Sequence, residues 1–244
     1  MHRRTFVLSS GAAALQPGPP TKKSVFVLTS IRMRNSPDQQ VKRTTDFLSG
    51  AAAPALKRAG AGPIGLFANL IGEQSPTVVV LVSYPSLAGM DEIDERLAQD
   101  KELHKAAEAH YNLPGLGYQR IESSLLRGFD SMPAIEVPPA AGRQAPRIFE
   151  LRTYESNNAF TLRRKIKMFD DGEIAIFRRL RMLPVFFGQT IIGTNIPNLT
   201  YLLAFDSLAA REKAWQAFGQ DPEWQKMRVQ PGLSDAEIVS NISN

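Results

Sequence analysis

Apolar and polar side chains alternate over residues 147–154 (RIFELRTY), and alternation of that length in β-favouring residue types predicts a half-buried strand. The period then lengthens. Leu162, Ile166, Phe169, Ile176 and Leu180 recur at helical spacing over residues 160–182, with an interruption expected near Gly172 and a stop at Pro184. Strands are predicted at 185–193 and 199–205, joined through the turn-forming residues 194–198. Asp206 or Ser207 caps the next helix, with Leu208, Trp215 and Phe218 turned inward. Asp221-Pro222 restarts a short helix, with the carboxylate as cap and proline at the first helical position. A last strand covers 236–242.

The first half of the chain has the same order. Strands are predicted at 24–33, 64–71, 78–84 and 118–126, and helices at 38–58 and 86–110. The two halves align residue for residue. At an offset of 121, Pro63 falls on Pro184, Ile71-Gly72 on Ile192-Gly193, Ser86-Leu87-Ala88 on Ser207-Leu208-Ala209 and Gln99-Asp100 on Gln220-Asp221. Upstream the offset becomes 123, which sets Phe26 on Phe149. A period this long marks a duplicated domain rather than a solenoid. Each copy reads β-α-β-β-α-β, the ferredoxin-like arrangement. Its sheet carries both helices on one face, and the other face has to be covered. The predicted fold class is therefore α+β, with two ferredoxin-like repeats packed as an intramolecular dimeric α+β barrel. The expected parts are a leader and spacer at 1–20, domains at 23–127 and 147–244, and a Pro/Ala-rich linker at 128–146. Because each copy can cover the other, the expected state is a monomer with pseudo-dimeric internal symmetry.

The opening residues Met1 to Leu15 place Arg3-Arg4, a spacer and Phe6 before a short apolar run and Ala12-Ala13-Ala14. This pattern resembles a bacterial twin-arginine export signal and implies a periplasmic or secreted protein. The chain has 29 basic and 24 acidic side chains and no cysteine. The weak positive balance, without aromatic residues interleaved among the basic ones, argues against a nucleic-acid partner. The missing cysteines exclude disulfides, thiolate metal sites and a cysteine nucleophile. No apolar run beyond the leader spans a bilayer. With three histidines, of which His104 and His110 lie off a common helical face, no metal and no cofactor is implied.

Residues 147–156 (RIFELRTYES) are similar to the opening strand of NIPSNAP-family domains. The block from Asn198 to Trp224, with Tyr201, Phe205, Arg211, Trp215, Phe218 and Asp221-Pro222, resembles that family's third strand and second helix. The resemblance covers the second copy well and the first copy only through the repeat, which lacks both tryptophans. It implies the dimeric α+β barrel fold and no agreed reaction.

Chemistry is expected on the first strand of the second copy. Glu150, Arg152 and Tyr154 share one face there, and Phe149, Leu151 and Thr153 the other. Giving the apolar set to the helices aims the charged stripe into the barrel. There Arg152 could bind an anionic group bidentately, Tyr154 could act as acid or hydrogen-bond donor, and Gln189 is a candidate polar neighbour. At the equivalent places the first copy has Val27, Thr29 and Ile31, so the fold alone does not require the stripe. A strand ion pair between Glu150 and Arg152 is the competing reading. The basic run from Arg163 to Lys167 is read as a solvated helix face, and Trp215 and Trp224 as packing residues. The functional expectation is a small anionic or aromatic ligand in the barrel cavity. The alternatives are a non-catalytic interaction or structural protein of the cell envelope and a cofactor-free isomerase or monooxygenase-like enzyme.

Overall fold

A computed structural model describes residues 23–72, 74–139 and 146–244. The predicted leader, the spacer after it and the middle of the linker lie outside these residues. The first copy runs β1 (Val25–Arg32), α1 (Gln40–Phe47), a π-helical turn (Leu48–Ala52), α2 (Ala53–Ala59), β2 (Ile64–Ala68), β3 (Thr77–Tyr84), α3 (Leu87–Leu97), α4 (Lys101–Tyr111) and β4 (Arg120–Gly128). The second runs β5 (Ile148–Ser156), α5 (Ala159–Met168), a second π-helical turn (Phe169–Glu173), α6 (Ile174–Arg179), β6 (Leu183–Ile192), β7 (Asn198–Phe205), α7 (Leu208–Gln220), α8 (Pro222–Arg228), α9 (Asp235–Ile238) and β8 (Val239–Ser243). The duplication therefore extends to the π-turns, the second of which contains Gly172.

Strand register fixes the correspondence between copies. Thr29 pairs with Val80 in β1·β3, and Arg152 pairs with Tyr201 in β5·β7. The repeated Gln-Asp pair is explained as well. Asp100 caps α4 by accepting from the Leu103 amide, and Asp221 caps α8 by accepting from the Glu223 and Trp224 amides. The predicted single helix over 86–110 is thus two helices. The stop assigned to Pro184 comes earlier, where Arg181 adopts φ 59°; Pro184 is already inside β6.

The eight strands form one antiparallel sheet in the order β2-β3-β1-β4-β6-β7-β5-β8. Its two halves curl together. Phe26, Leu81 and Leu126 of the first copy and Phe186, Leu202 and Ala204 of the second bury one another inside the barrel, and Phe26 meets Phe186 with ring centroids 5.6 Å apart. A second core lies between sheet and helices in each copy. The segment expected to be linker starts as core, with Phe129 and Met132 buried and the Glu136 amide donating to the Val185 carbonyl.

The two seams of the barrel differ. At one, β4 hydrogen-bonds to β6 with Gly128 opposite Gly188. A Cβ on Gly188 would sit 2.9 Å from the Leu126 Cβ, so the close approach there needs glycine. The residue equivalent to Gly188 in β2 is Phe67. β8 is only five residues long and reaches β5 from Thr153 to Ser156. The edge of β5 before Thr153 therefore faces the edge of β2 without a ladder among the described residues, and a cleft opens between them.

Candidate functional site

The cleft at this seam has a volume of about 770 Å³. Its walls are apolar: Leu28 and Val79 from the first copy, Leu151 and Leu202 from the second, and the rings of Phe67 and Phe149. These rings meet edge to face with centroids 4.9 Å apart. Leu70 and Ile71 in the β2–β3 loop also line the cleft and are largely exposed. Leu208, expected inward on α7, is half exposed and borders the cleft. Polar groups stand at the mouth. Arg147 donates to the Pro139 carbonyl and lies 3.5 Å from Asp206. Arg211 grips Glu150 through Nε and Nη2, both at 2.8 Å.

The charged stripe of β5 does not point into this space, which corrects the expected orientation. Phe149 and Leu151 face the cleft, whereas Glu150, Arg152 and Tyr154 face the helices. The physical reason is that the helix layer of the second copy supplies polar partners. Glu150 accepts from Arg152 Nη1 at 2.9 Å, from Arg211, and from Trp215 Nε1 at 2.8 Å. The Arg152 guanidinium lies over the Trp215 ring at 4.5 Å and donates through Nη2 to the Tyr154 hydroxyl, which in turn accepts from the Tyr201 hydroxyl. Arg152 Nε is buried without a hydrogen-bond partner among the described residues. Gln189 is not part of this cluster. It pairs with Leu199, which pairs with Tyr154, so a full strand separates it from the stripe.

Burial pushes the Glu150 carboxyl up, but the bonds from Arg211, Trp215 and Arg152 outweigh it and hold the group below the ordinary carboxylate range. Burial also opposes the Arg152 charge, which the surrounding phenols and Glu150 more than restore. The Tyr201 phenol, wholly buried, is raised well above its ordinary value.

The basic run from Arg163 to Lys167 is solvated except at Lys165, which corrects the expected face. Arg163, Arg164 and Lys167 are exposed, but Lys165 is 0% exposed. Its ammonium lies 3.1 Å from Asp235 and 3.5 Å from Glu173, amid the rings of Tyr154, Phe169 and Trp224. Burial opposes its charge, and the two carboxylates raise its pKa above the ordinary lysine value. Burial in turn pushes Glu173, which sits in the π-turn, up to about 7. The signal for an inward lysine was its place between Leu162 and Phe169 on the apolar stripe. Glu173, Arg211 and Trp215 carried no comparable signal as partners of the stripe. The first copy has Thr44, Ala52, Met90 and Asp94 at the places of Lys165, Glu173, Arg211 and Trp215, so the entire buried network belongs to the second copy. His110 is buried and stacked on Phe47, while His104 is exposed. No group of three or more His, Asp or Glu able to hold a metal ion occurs among the described residues.

The NIPSNAP family model matches residues 40–131 and 149–243, well over half of the sequence. The chain belongs to the NIPSNAP family. The match places one NIPSNAP domain in each copy. Among solved structures, a candidate monooxygenase from Lactobacillus acidophilus NCFM superposes with a TM-score of 0.58 at 9% identity, covering 91% of each chain. A second, from Fusobacterium nucleatum, gives 0.57 at 6% identity over 92% of this NIPSNAP chain and 91% of its own. A NIPSNAP-family protein from Agrobacterium tumefaciens is 20% identical but matches 48% of the chain, with a TM-score of 0.37. The first two likenesses show the fold, over about nine tenths of the chain. No protein of curated function matches the sequence. No helix among the described residues is long and apolar enough to cross a membrane.

Proposed function

We propose that this NIPSNAP protein binds a small, flat, mainly apolar molecule with one anionic group in the cleft between β2 and β5. The observation behind this reading is the cleft itself. Its volume lies in the range of ligand sites, and its walls are aliphatic and aromatic with polar groups confined to the mouth, as such sites usually are. Arg147 and Arg211 bring guanidinium groups to that mouth. The one carboxylate side chain among the described lining residues, Glu150, turns its oxygens to Arg211, Arg152 and Trp215. Binding is favoured over turnover because, among the described residues, the lining holds no histidine, lysine or tyrosine to pass a proton to a bound molecule. Export through the twin-arginine leader is part of the proposal, supported by Arg3-Arg4 and the apolar run that follows. Replacing both arginines by lysine should hold the protein in the cytoplasm.

Calorimetric titration with 1-naphthoate, and with 1-naphthalenemethanol as its neutral counterpart, tests the site. Saturable binding that favours the carboxylate, and that Leu151→Trp abolishes by filling the cleft, is expected. Binding unaffected by Leu151→Trp would remove the cleft from consideration, and no binding at all would favour an interaction or structural role.

A further inference from the structure

The helix layer of the first copy has the same frame as that of the second, but it is not filled in the same way. At matching positions Leu56 stands for Phe177, Leu97 for Phe218, Leu103 for Trp224 and Ala52 for Glu173. In the second copy the aromatic members close on one another. Phe218 lies 4.6 Å from Trp224 and 4.9 Å from Phe177 between ring centroids, and Glu173 is buried alongside. All four side chains are shorter in the first copy. The π-turn and the break between α3 and α4 recur at matching positions in the two copies. A groove of about 520 Å³ remains, with those four residues in its lining.

We infer that this groove binds a small planar aromatic molecule of about an indole's bulk, seated where the second copy carries the ring of Trp224. The groove is open to solvent and mainly apolar, and a matching apolar guest removes that lining from water. The shape of the guest follows from the duplication, since the side chains that fill the equivalent space are flat rings in edge and tilted contact. The wall is already set for such a ring. Phe47 is stacked on the buried His110 at 4.6 Å and 14° and is tilted against Tyr111 at 5.9 Å. That stack fixes the Phe47 ring, and both Phe47 and Tyr111 line the groove. His104 supplies the polar group of the lining and can meet a hydrogen-bonding atom on the guest. The groove lies in the helix layer of the first copy, on the opposite side of the sheet from the cleft between the copies, so the two sites stand or fall separately.

Titration of protein methyl-labelled at leucine and alanine with indole tests the inference by NMR. Saturable shifts are expected at the methyl groups of Leu56, Leu97, Leu103 and Ala52. The double variant Leu97→Phe/Leu103→Trp imports the filling residues and should lose the shifts at Leu56 and Ala52, the two reporters it retains, while melting at a higher temperature. If that variant does not fold, Ala107→Phe blocks the same groove from its wall on α4. Shifts in the wild type that never saturate, or that spread evenly over the methyl groups, overturn the inference without any variant. Saturable shifts that persist in a folded variant with a filled or blocked groove overturn it as well.

Discussion

Phe67 on β2 and Phe149 on β5 touch edge to face across a seam that has no ladder among the described residues, with ring centroids 4.9 Å apart at 62°. The contact forms part of the wall of the apolar cleft. Phe149→Ala should therefore lower stability only modestly, by about 1 kcal/mol for an aromatic pair at a partly exposed site. It should weaken binding of 1-naphthoate far more, because one wall of the cleft is lost. Urea denaturation and calorimetry on the same preparation separate the two effects.

Glu150 accepts from three donors, and two of them are guanidinium groups. Glu150→Val should therefore destabilise more than Arg152→Ala. The first leaves Arg152 as an uncompensated buried charge, at a cost of about 3–5 kcal/mol. The second leaves Glu150 still bound to Arg211 and Trp215. The double variant Glu150→Val/Arg152→Thr imports the residues of the first copy and should recover part of the loss. Recovery stays incomplete because Arg211 and Trp215 Nε1 then lack their acceptor. Denaturation midpoints of the three variants give the order directly.

Glu173 makes stability fall as pH rises. Burial pushes its carboxyl up to about 7 in the folded protein, while the unfolded chain ionises near the ordinary value of about 4.3. Between those values the folded state holds the extra proton, so stability declines across the window from about pH 4 to about pH 7. Glu173→Gln, which cannot ionise, should flatten that part of the profile. Melting temperatures of both proteins from pH 4.5 to 8 check the sign; a wild-type curve that rises relative to the variant would contradict it.

Because β4 pairs with β6 within one chain and the inner faces of the two copies cover each other, the protein should be monomeric in dilute solution. Light scattering of the full chain should return a mass near 26.9 kDa. An obligate dimer would show that the open seam is closed by a second molecule.

The duplicated order of elements was legible because the Pro, Gly, Ser and Asp residues that end or cap elements recur at a constant offset. Ser86 and Ser207, for example, each cap a helix by accepting from the amide three residues on. The direction of the β5 stripe was not legible. Alternation says which residues share a face, but both faces of this strand meet protein, one the cleft and the other the helices. The rule that apolar residues face the helices failed because Arg211, Lys165 and Glu173 make that layer partly polar. Those partners lie 61 residues from Glu150 in the case of Arg211, a distance no local pattern bridges. The buried lysine could be read from helical spacing, whereas its carboxylate Asp235 could not.

The unequal seams have a consequence for how such a barrel can change. Two identical subunits meet at two identical seams, so every mutation is made twice and must suit both places. Fusing the copies into one gene removes that constraint. Gly188 lets the strands at one seam touch, while its counterpart Phe67 helps wall the space at the other. No homodimer can encode that pair of residues at equivalent positions.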